Sequence, residues 1–168
     1  MPRSTNNGAN WSRWDQYTRT GFATLEHAFD GGWVAKAQFN RQVNGYDANL
    51  GAAAGGYPNP ADGSGVSMWM GQYIGRTTSN AGDVYLSGPL RLAGREHELV
   101  LGGSIANRHW KNSGWWATPG YDRGVPDYYQ WQGDKPAPAW GAVPDYTNDE
   151  TTRERGLYAA ARWNLRDD

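Results

Sequence analysis

The chain has 168 residues, a formal net charge of −1 and no cysteine, and its aromatic residues are 10 Trp and 10 Tyr against 3 Phe. This charge balance excludes the basic surface of a nucleic-acid-binding protein, and the lack of cysteine excludes disulfide frameworks, thiolate nucleophiles and cysteine-based zinc sites. No run of about 18 apolar residues is present, so the sequence contains no membrane-spanning helix; a membrane-spanning strand needs only about 9 to 11 alternating residues.

The first strand signal runs from about residue 17 to residue 40 and is interrupted by a glycine pair. Ala23, Leu25 and Phe29 alternate with polar residues, and the same period of two resumes in the segment that begins "WVAKAQF" at residue 33. The link Asp30-Gly31-Gly32 is short and can adopt positive φ at little cost. The pattern predicts two antiparallel strands joined by a tight turn.

The next segments predict a long connection followed by a second hairpin. Residues 41–65 are rich in Gly and Pro and are predicted to form a loop. Residues 66–110 are predicted to form two long strands joined at Ala93-Gly94-Arg95, because a single strand over 66–92 keeps the following loop at the same end of the sheet as the previous one. An extra turn at 79–82 is the alternative for this stretch.

The last third of the chain repeats the contrast between long loop and strand. Residues 111–150 are predicted to be a long loop, and together with 41–65 they hold seven of the nine prolines. Residues 151–166 alternate again, and a further turn is expected at Asp167. Short and long connections thus alternate along the meander, which is typical of an outer-membrane barrel with short periplasmic turns and long external loops.

Alternation alone fits two all-β architectures. A β-sandwich directs the apolar faces inward, whereas a transmembrane barrel directs them toward lipid. Small residues on the apolar faces, such as Ala35 and Ala159, favour the barrel because a sandwich core needs bulk between its sheets. Aromatic residues beside the tight turns, such as Phe29, Trp33 and Trp163, also favour it, since barrels carry interfacial girdles of such residues.

Three segments resemble consecutive barrel hairpins of the TonB-dependent ferric-siderophore receptors of the ferripyoverdine and ferric-hydroxamate type. They are "TGFATLEHAFDGGWVAKAQFNRQ", "DVYLSGPLRLAGREHELVLGGSIANRHW" and "ERGLYAAARWNLRDD", and residues 92–102 and 156–168 are the most specific matches. The resemblance implies an antiparallel up-and-down meander belonging to a 22-stranded transmembrane barrel. It also implies that the chain is a fragment without the plug domain through which the TonB complex acts.

The resemblance further implies a bacterial outer-membrane receptor, set in lipid bilayer and lipopolysaccharide, that binds and imports a ferric siderophore. Iron is expected only within that ligand, and no resident cofactor is expected. Ligand would be held by aromatic side chains of the region 110–146, whose flat rings bury apolar surface at little entropic cost. The implied contacts are Trp110, Trp115, Trp116, Tyr121, Tyr128, Tyr129 and Trp131. The alternative role for each ring is packing within the loop.

Other kinds of site are disfavoured. His27, His97 and His109 lack metal-ligand spacing, and the pair Glu96 and Glu98 has no evident partner for acid and base chemistry. The chain is therefore not expected to be an enzyme. Tyr46, Tyr57 and Trp69 are weaker ligand candidates, as are Arg108 and Lys111 for an anionic ligand.

Two rival functions remain open at this stage. A soluble carbohydrate-binding β-sandwich would use exposed Trp and Tyr to stack on sugars, and a sandwich-type glycoside hydrolase would need two facing carboxylates. Interleaved Leu25, Phe39, Leu101 and Trp163 in a dry core would support either rival. A barrel piece is instead expected to form an open sheet with unpaired edges, which associates with copies of itself when isolated.

Overall fold

The computed structural model describes residues 6–165, which form one antiparallel sheet with almost no helix. The elements are β1 (Arg13–Ala28), β2 (Val34–Gly56), β3 (Val66–Leu92), β4 (Arg95–Trp115), β5 (Gly124–Val125), a 3-10 turn (Tyr128–Gln130) and β6 (Tyr146–Arg162). The strand order β1-β2-β3-β4-β6 follows the chain, and the short β5 pairs with β3. The predicted all-β, up-and-down meander is confirmed.

Both predicted tight turns form where the chain can adopt positive φ. Gly31 and Gly32 have φ of 87° and 83°, and the second turn consists of Ala93 and Gly94 with φ of 52° and 73°. Positive φ at two successive residues matches the right-handed twist of the strands that a tight hairpin joins. Residues 66–92 form one strand, as the alternation of loop lengths predicts.

The predicted loop bounds are wrong in one respect, because the strands are longer than the sequence indicates. β2 continues to Gly56, so the first loop covers residues 57–65 rather than 41–65. β4 extends to Trp115 and β6 begins at Tyr146, so the second loop covers 116–145 rather than 111–150. The extra strand residues include Gly, Asn and Asp, which are poor strand formers alone, but pairing with neighbouring strands supplies their backbone hydrogen bonds. Residues 166–168, including the turn expected at Asp167, lie outside the described residues.

The strands run through two compact units. The first contains residues up to 17, 45–76 and 111–149, and the second contains 18–44, 77–110 and residues from 150 onward. Both long loops belong to the first unit and both tight turns to the second.

Large apolar side chains of the second unit are exposed rather than packed in a core among residues 6–165. Leu25, Phe39, Leu101 and Trp163 are 73%, 50%, 45% and 51% exposed. A single sheet with these side chains in the open contradicts the sandwich alternatives, because a sandwich needs a second sheet to cover them.

The opposite face of the second unit is polar and internally paired. Lys36 Nζ lies 3.4 Å from Glu26 Oε2, and Arg162 Nη1 lies 3.7 Å from Glu98 Oε2. The Tyr158 hydroxyl donates to the Asp83 carboxylate at 3.0 Å. One face of these strands is therefore apolar and the other carries ion pairs, which is the arrangement of a barrel wall between lipid and a wet lumen.

The first unit contains a small buried cluster beneath its long loop. Its buried members are Ala9, Ala53, Val66, Met68, Met70 and Val125. β5 holds the loop against β3 through the pairs Val66 with Val125 and Ser67 with Gly124. In the part of the chain that the structure describes, no helix is long and apolar enough to cross a membrane.

Candidate ligand-binding site

The aromatic residues implied as ligand contacts fall into different environments. Trp110 and Trp115 are half-buried on β4, whereas Trp116, directly after β4, is 43% exposed. Tyr129 is exposed on the 3-10 turn. Tyr121, Tyr128 and Trp131 pack against the buried cluster of the first unit. These last three rings therefore make packing contacts of the kind that the sequence left open as the alternative to ligand contact.

Polar contacts also fix the long loop. The Trp11 indole Nε1 donates to the Lys135 carbonyl at 3.0 Å, and its ring lies edge-on to Trp140 with 6.4 Å between centroids. Lys135 Nζ lies 3.0 Å from the Asp122 carboxylate and also donates to the Gly124 carbonyl. The hydrogen bond from Lys135 is the largest of several effects that hold the pKa of Asp122 below its ordinary value. The loop is thus a packed structure rather than a free flap.

A second group of rings lies on the strands of the first unit. The rings of Trp14 and Tyr46 meet edge-on at 6.3 Å, and the Tyr46 hydroxyl donates to Asn112 Oδ1 at 3.0 Å. Asn112 is buried, so this bond satisfies an amide that would otherwise be costly to leave unpaired. These contacts join β1, β2 and β4.

Trp116 belongs to the same region through two tyrosines. Its ring meets Tyr73 at 6.2 Å and Tyr146 at 6.0 Å. Burial raises the pKa of the Tyr46 hydroxyl and of the Tyr73 hydroxyl, and the nearby Tyr146 raises both further. We define the strand cluster as Trp14, Tyr46, Tyr73, Asn112, Trp116 and Tyr146.

Two glycines make room for these rings. A Cβ added to Gly75 would lie 2.3 Å from the Tyr46 ring, and one added to Gly114 would lie 2.3 Å from the Tyr146 ring. Any larger residue would displace the aromatic side chain, so each ring lies flat across the backbone of a neighbouring strand. The resulting surface offers flat apolar rings with hydroxyl and amide tips, and it suits an organic ligand that carries carbonyl groups.

The charged and weaker aromatic candidates contribute less to this surface. Lys111 Nζ pairs with Asp149 at 2.9 Å, so part of its charge is already neutralised. Tyr57 is almost fully exposed, Trp69 is partly exposed, and neither has a ring contact among residues 6–165. The same residues contain no group of three His, Asp or Glu side chains placed to hold a metal ion.

The sequence indicated Trp116 as a ligand contact and Tyr46 as a weaker candidate. It did not indicate that either residue lies near Trp14, Tyr73 or Asn112. These residues come from four strands, and their grouping depends on strand register. Glycines within strands, such as Gly75 in β3 and Gly114 in β4, were the available signal, because a glycine in a strand marks a close approach by another group. Which aromatic ring lies over each glycine cannot be predicted without the strand register.

No known family model matches the chain, but curated proteins do. A ferripyoverdine receptor from Pseudomonas aeruginosa is 46% identical over 168 residues, covering 100% of this chain and 20% of that receptor. A ferric-pyoverdine BN7/BN8 receptor from Pseudomonas putida is 28% identical over 174 residues, covering 100% of this chain and 21% of its own length. This chain thus spans about a fifth of the length of these relatives.

Solved structures agree with the sequence matches. The ferripyoverdine receptor of the outer membrane of Pseudomonas aeruginosa bound to ferripyoverdine matches with a TM-score of 0.91 at 46% identity, covering 100% of this chain and 22% of that one. A complex of FpvAI with pyocin S2 matches with a TM-score of 0.90 at 46% identity and the same coverage.

Proposed function

We propose that this chain, which is homologous over its whole length to one segment of the ferripyoverdine receptors, is part of an outer-membrane receptor that binds and imports a ferric siderophore. The segment is proposed to supply five consecutive wall strands of a 22-stranded barrel. The strand parts of the second unit cross the membrane in this proposal, and the first unit faces the ligand. Import would draw on the TonB complex through a plug domain. The relatives reported above are receptors, not enzymes.

One observation carries the ligand-binding part of this proposal. The rings of Tyr73 on β3 and Tyr146 on β6 lie against Trp116, whose side chain remains 43% exposed after those contacts. A ring held by neighbours but open on one side can contact a ligand with little loss of side-chain entropy. The siderophore is expected to lie against the strand cluster with its iron already chelated, so no protein ligand for iron is required.

The seven residues implied from the sequence take different roles in this proposal. Trp116 contacts the ligand directly. Tyr121, Tyr128 and Trp131 position the loop through their packing on the buried cluster. Trp110 and Tyr129 remain predicted contacts, whereas Trp115 is proposed to lie on the face of β4 opposite the ligand.

The test is the affinity of the full-length receptor for ferric pyoverdine, measured by quenching of tryptophan fluorescence. Trp116→Ala is expected to weaken binding about tenfold, because an aromatic ring that becomes buried against the ligand contributes on the order of 1 to 2 kcal/mol to the binding free energy. Tyr46→Phe keeps the ring but loses the hydrogen bond to Asn112, so a smaller loss is expected.

Trp115→Ala is the matched comparison. Gly114 lies under the Tyr146 ring, so strand alternation turns Trp115 to the opposite face and Trp116 back to the face of the cluster. A loss confined to Trp116→Ala supports the strand cluster. Equal losses for both variants would mean that the loop as a whole, rather than this cluster, determines affinity.

A further inference from the structure

The apolar face of the second unit contains a groove of about 470 Å³. Gly82 lies on this face, because a Cβ added to it would meet Ile105 Cγ1 at 3.6 Å. Phe39 and Ile105 line the groove and remain exposed. A glycine between two bulky apolar side chains leaves a slot that fits an unbranched hydrocarbon chain.

The groove ends in a polar rim on the same face. Asn80, Asn107, Arg153 and Arg155 line it there. Arg41 Nη1 donates to Asn80 Oδ1 at 2.9 Å, so the Asn80 amide nitrogen is left to donate elsewhere. Glu154, which lies between the two arginines in sequence, also lines the groove, but strand alternation turns its side chain to the face opposite theirs. On the apolar face the rim therefore presents the amides of Asn80 and Asn107 and the guanidinium groups of Arg153 and Arg155.

The two rim arginines differ from cations on the opposite face of the same unit. Lys36, Arg91 and Arg162 each pair with a glutamate there. Arg153 and Arg155 are exposed, and within residues 6–165 neither has an ion-pair or hydrogen-bond partner. Two unpaired guanidinium groups at the end of an apolar slot are complementary to an anion that carries a hydrocarbon tail.

We propose that this groove binds one phosphorylated lipid molecule. An acyl chain would lie over Gly82 between Phe39 and Ile105, and the phosphate would accept hydrogen bonds from Arg153 and Arg155. Guanidinium groups suit this role because their planar donors match phosphate oxygens in a bidentate arrangement. The inference rests on the proposed function, since it needs the apolar face to lie in a membrane.

The test uses the full-length receptor in detergent micelles, titrated with phosphatidylglycerol or with phosphatidylcholine of the same acyl chains and followed by native mass spectrometry. Wild type is expected to bind phosphatidylglycerol at least tenfold more tightly. The double variant Arg153→Gln and Arg155→Gln should lose that preference, at about fivefold per arginine. Gly82→Leu should weaken binding of both lipids because its side chain fills the slot.

Arg108→Gln is the matched control for charge. Arg108 is also without a partner among the described residues, but it lies on the polar face. Arg108→Gln should therefore keep the lipid preference of the wild type, whereas Arg153→Gln should reduce it. An equal affinity of wild type for both lipids, or an unchanged preference in the double arginine variant, would overturn the inference. Displacement of bound phosphatidylglycerol by millimolar inorganic phosphate would also overturn it, because it would mean an anion site rather than a lipid groove.

Ferric pyoverdine binding by the same preparations separates this inference from the proposed function. Intact siderophore binding without a lipid preference rejects only the lipid groove. A lipid preference without siderophore binding rejects only the siderophore function.

Discussion

At the scale of single residues, special backbone positions and close approaches decide where side chains go. Ala93 is the one non-glycine residue with positive φ among those described, at 52°, and Gly75 and Gly114 lie directly under tyrosine rings. Such positions tolerate few residue types, so it can be predicted whether a substitution there raises or lowers the free energy of unfolding.

Ala93 provides the first prediction. A left-handed conformation is unfavourable for alanine, whereas asparagine adopts it more readily because its side chain can hydrogen-bond locally. Ala93→Asn is expected to raise the free energy of unfolding by about 1 kcal/mol, measured by urea unfolding of the refolded receptor in detergent micelles. Ala93→Val should lower it, because a branched Cβ is poorly tolerated at positive φ. A lower stability for the asparagine variant would contradict the turn geometry.

Asp122 provides a prediction on pH. Its hydrogen bond from Lys135 lowers the carboxyl pKa below the ordinary value of 3.8, so the folded state favours the ionised form. The stabilising contribution is present above that ordinary value and is lost as the pH falls through the lower folded pKa. Loop 116–145 is expected to exchange its amide hydrogens faster at pH 3 than at pH 5, after correction for intrinsic rates.

Asp122→Asn removes the carboxylate while keeping a similar shape. It should make the loop at pH 5 resemble the wild-type loop at pH 3, with a much smaller further change on acidification. Asp134→Asn is a control in the same loop, since among residues 6–165 Asp134 has no ion pair with Lys135. An unchanged pH response in Asp122→Asn would assign the effect to another group.

At the scale of elements, the two faces of a strand have different side chains and different contacts. On β6, Leu157 is 93% exposed and its Cδ2 lies 3.0 Å from where a Cβ on Gly103 would stand, while Tyr158 on the other face bonds to Asp83. A leucine with this exposure would be unfavourable in a sheet whose faces meet water. Facing lipid, it is the favourable choice.

Leu157→Arg tests which solvent that face meets. In a bilayer, an arginine on the lipid face is expected to cost about 2 to 4 kcal/mol near the midplane and less toward the interfaces. Refolding of the receptor into lipid vesicles under increasing urea should show this loss. Ser104→Arg is the control, because Ser104 lies beside Gly156 on the polar face, where a charge meets water. Equal stability of the two variants would contradict a lipid-facing Leu157.

At the scale of the whole molecule, the meander has two sheet edges. β1 and β6 are the end strands of the order β1-β2-β3-β4-β6 in the described part of the chain. An end strand presents unpaired backbone groups, and here it borders an apolar face as well. In a closed barrel both edges would be paired with further strands.

The 168-residue chain expressed alone should therefore self-associate. Sedimentation in detergent-free buffer is expected to show oligomers at micromolar concentration, and a mild detergent should reduce them to smaller species by covering the apolar face. A stable monomer without detergent would mean that the exposed leucines and tryptophans are buried in some other arrangement, which would argue against a barrel wall.

Much of this architecture was readable from local patterns. Alternation at residues such as Leu25 and Phe39 predicts strands, and Gly31-Gly32 and Ala93-Gly94 predict tight turns, because both signals depend on neighbours in sequence. The resemblance of the hairpins predicted a relation to the ferric-siderophore receptors, and the similarity to ferripyoverdine receptors agrees with it. Packing within the loop was one of the two roles foreseen for each aromatic ring, but that Tyr121, Tyr128 and Trp131 are the rings that pack could not be predicted, since the cluster beneath them includes distant segments.

The sequence by itself determined the strands, the tight turns and the division of each strand into an apolar and a polar side. Only the tertiary structure decided how far β2 and β4 extend into glycine-rich segments, that Tyr46 bonds to Asn112, and that Tyr73 and Tyr146 pack against Trp116. The physical reason is that strand length and register depend on hydrogen bonds to other strands. Local periodicity contains no information about which residue of a neighbouring strand lies opposite.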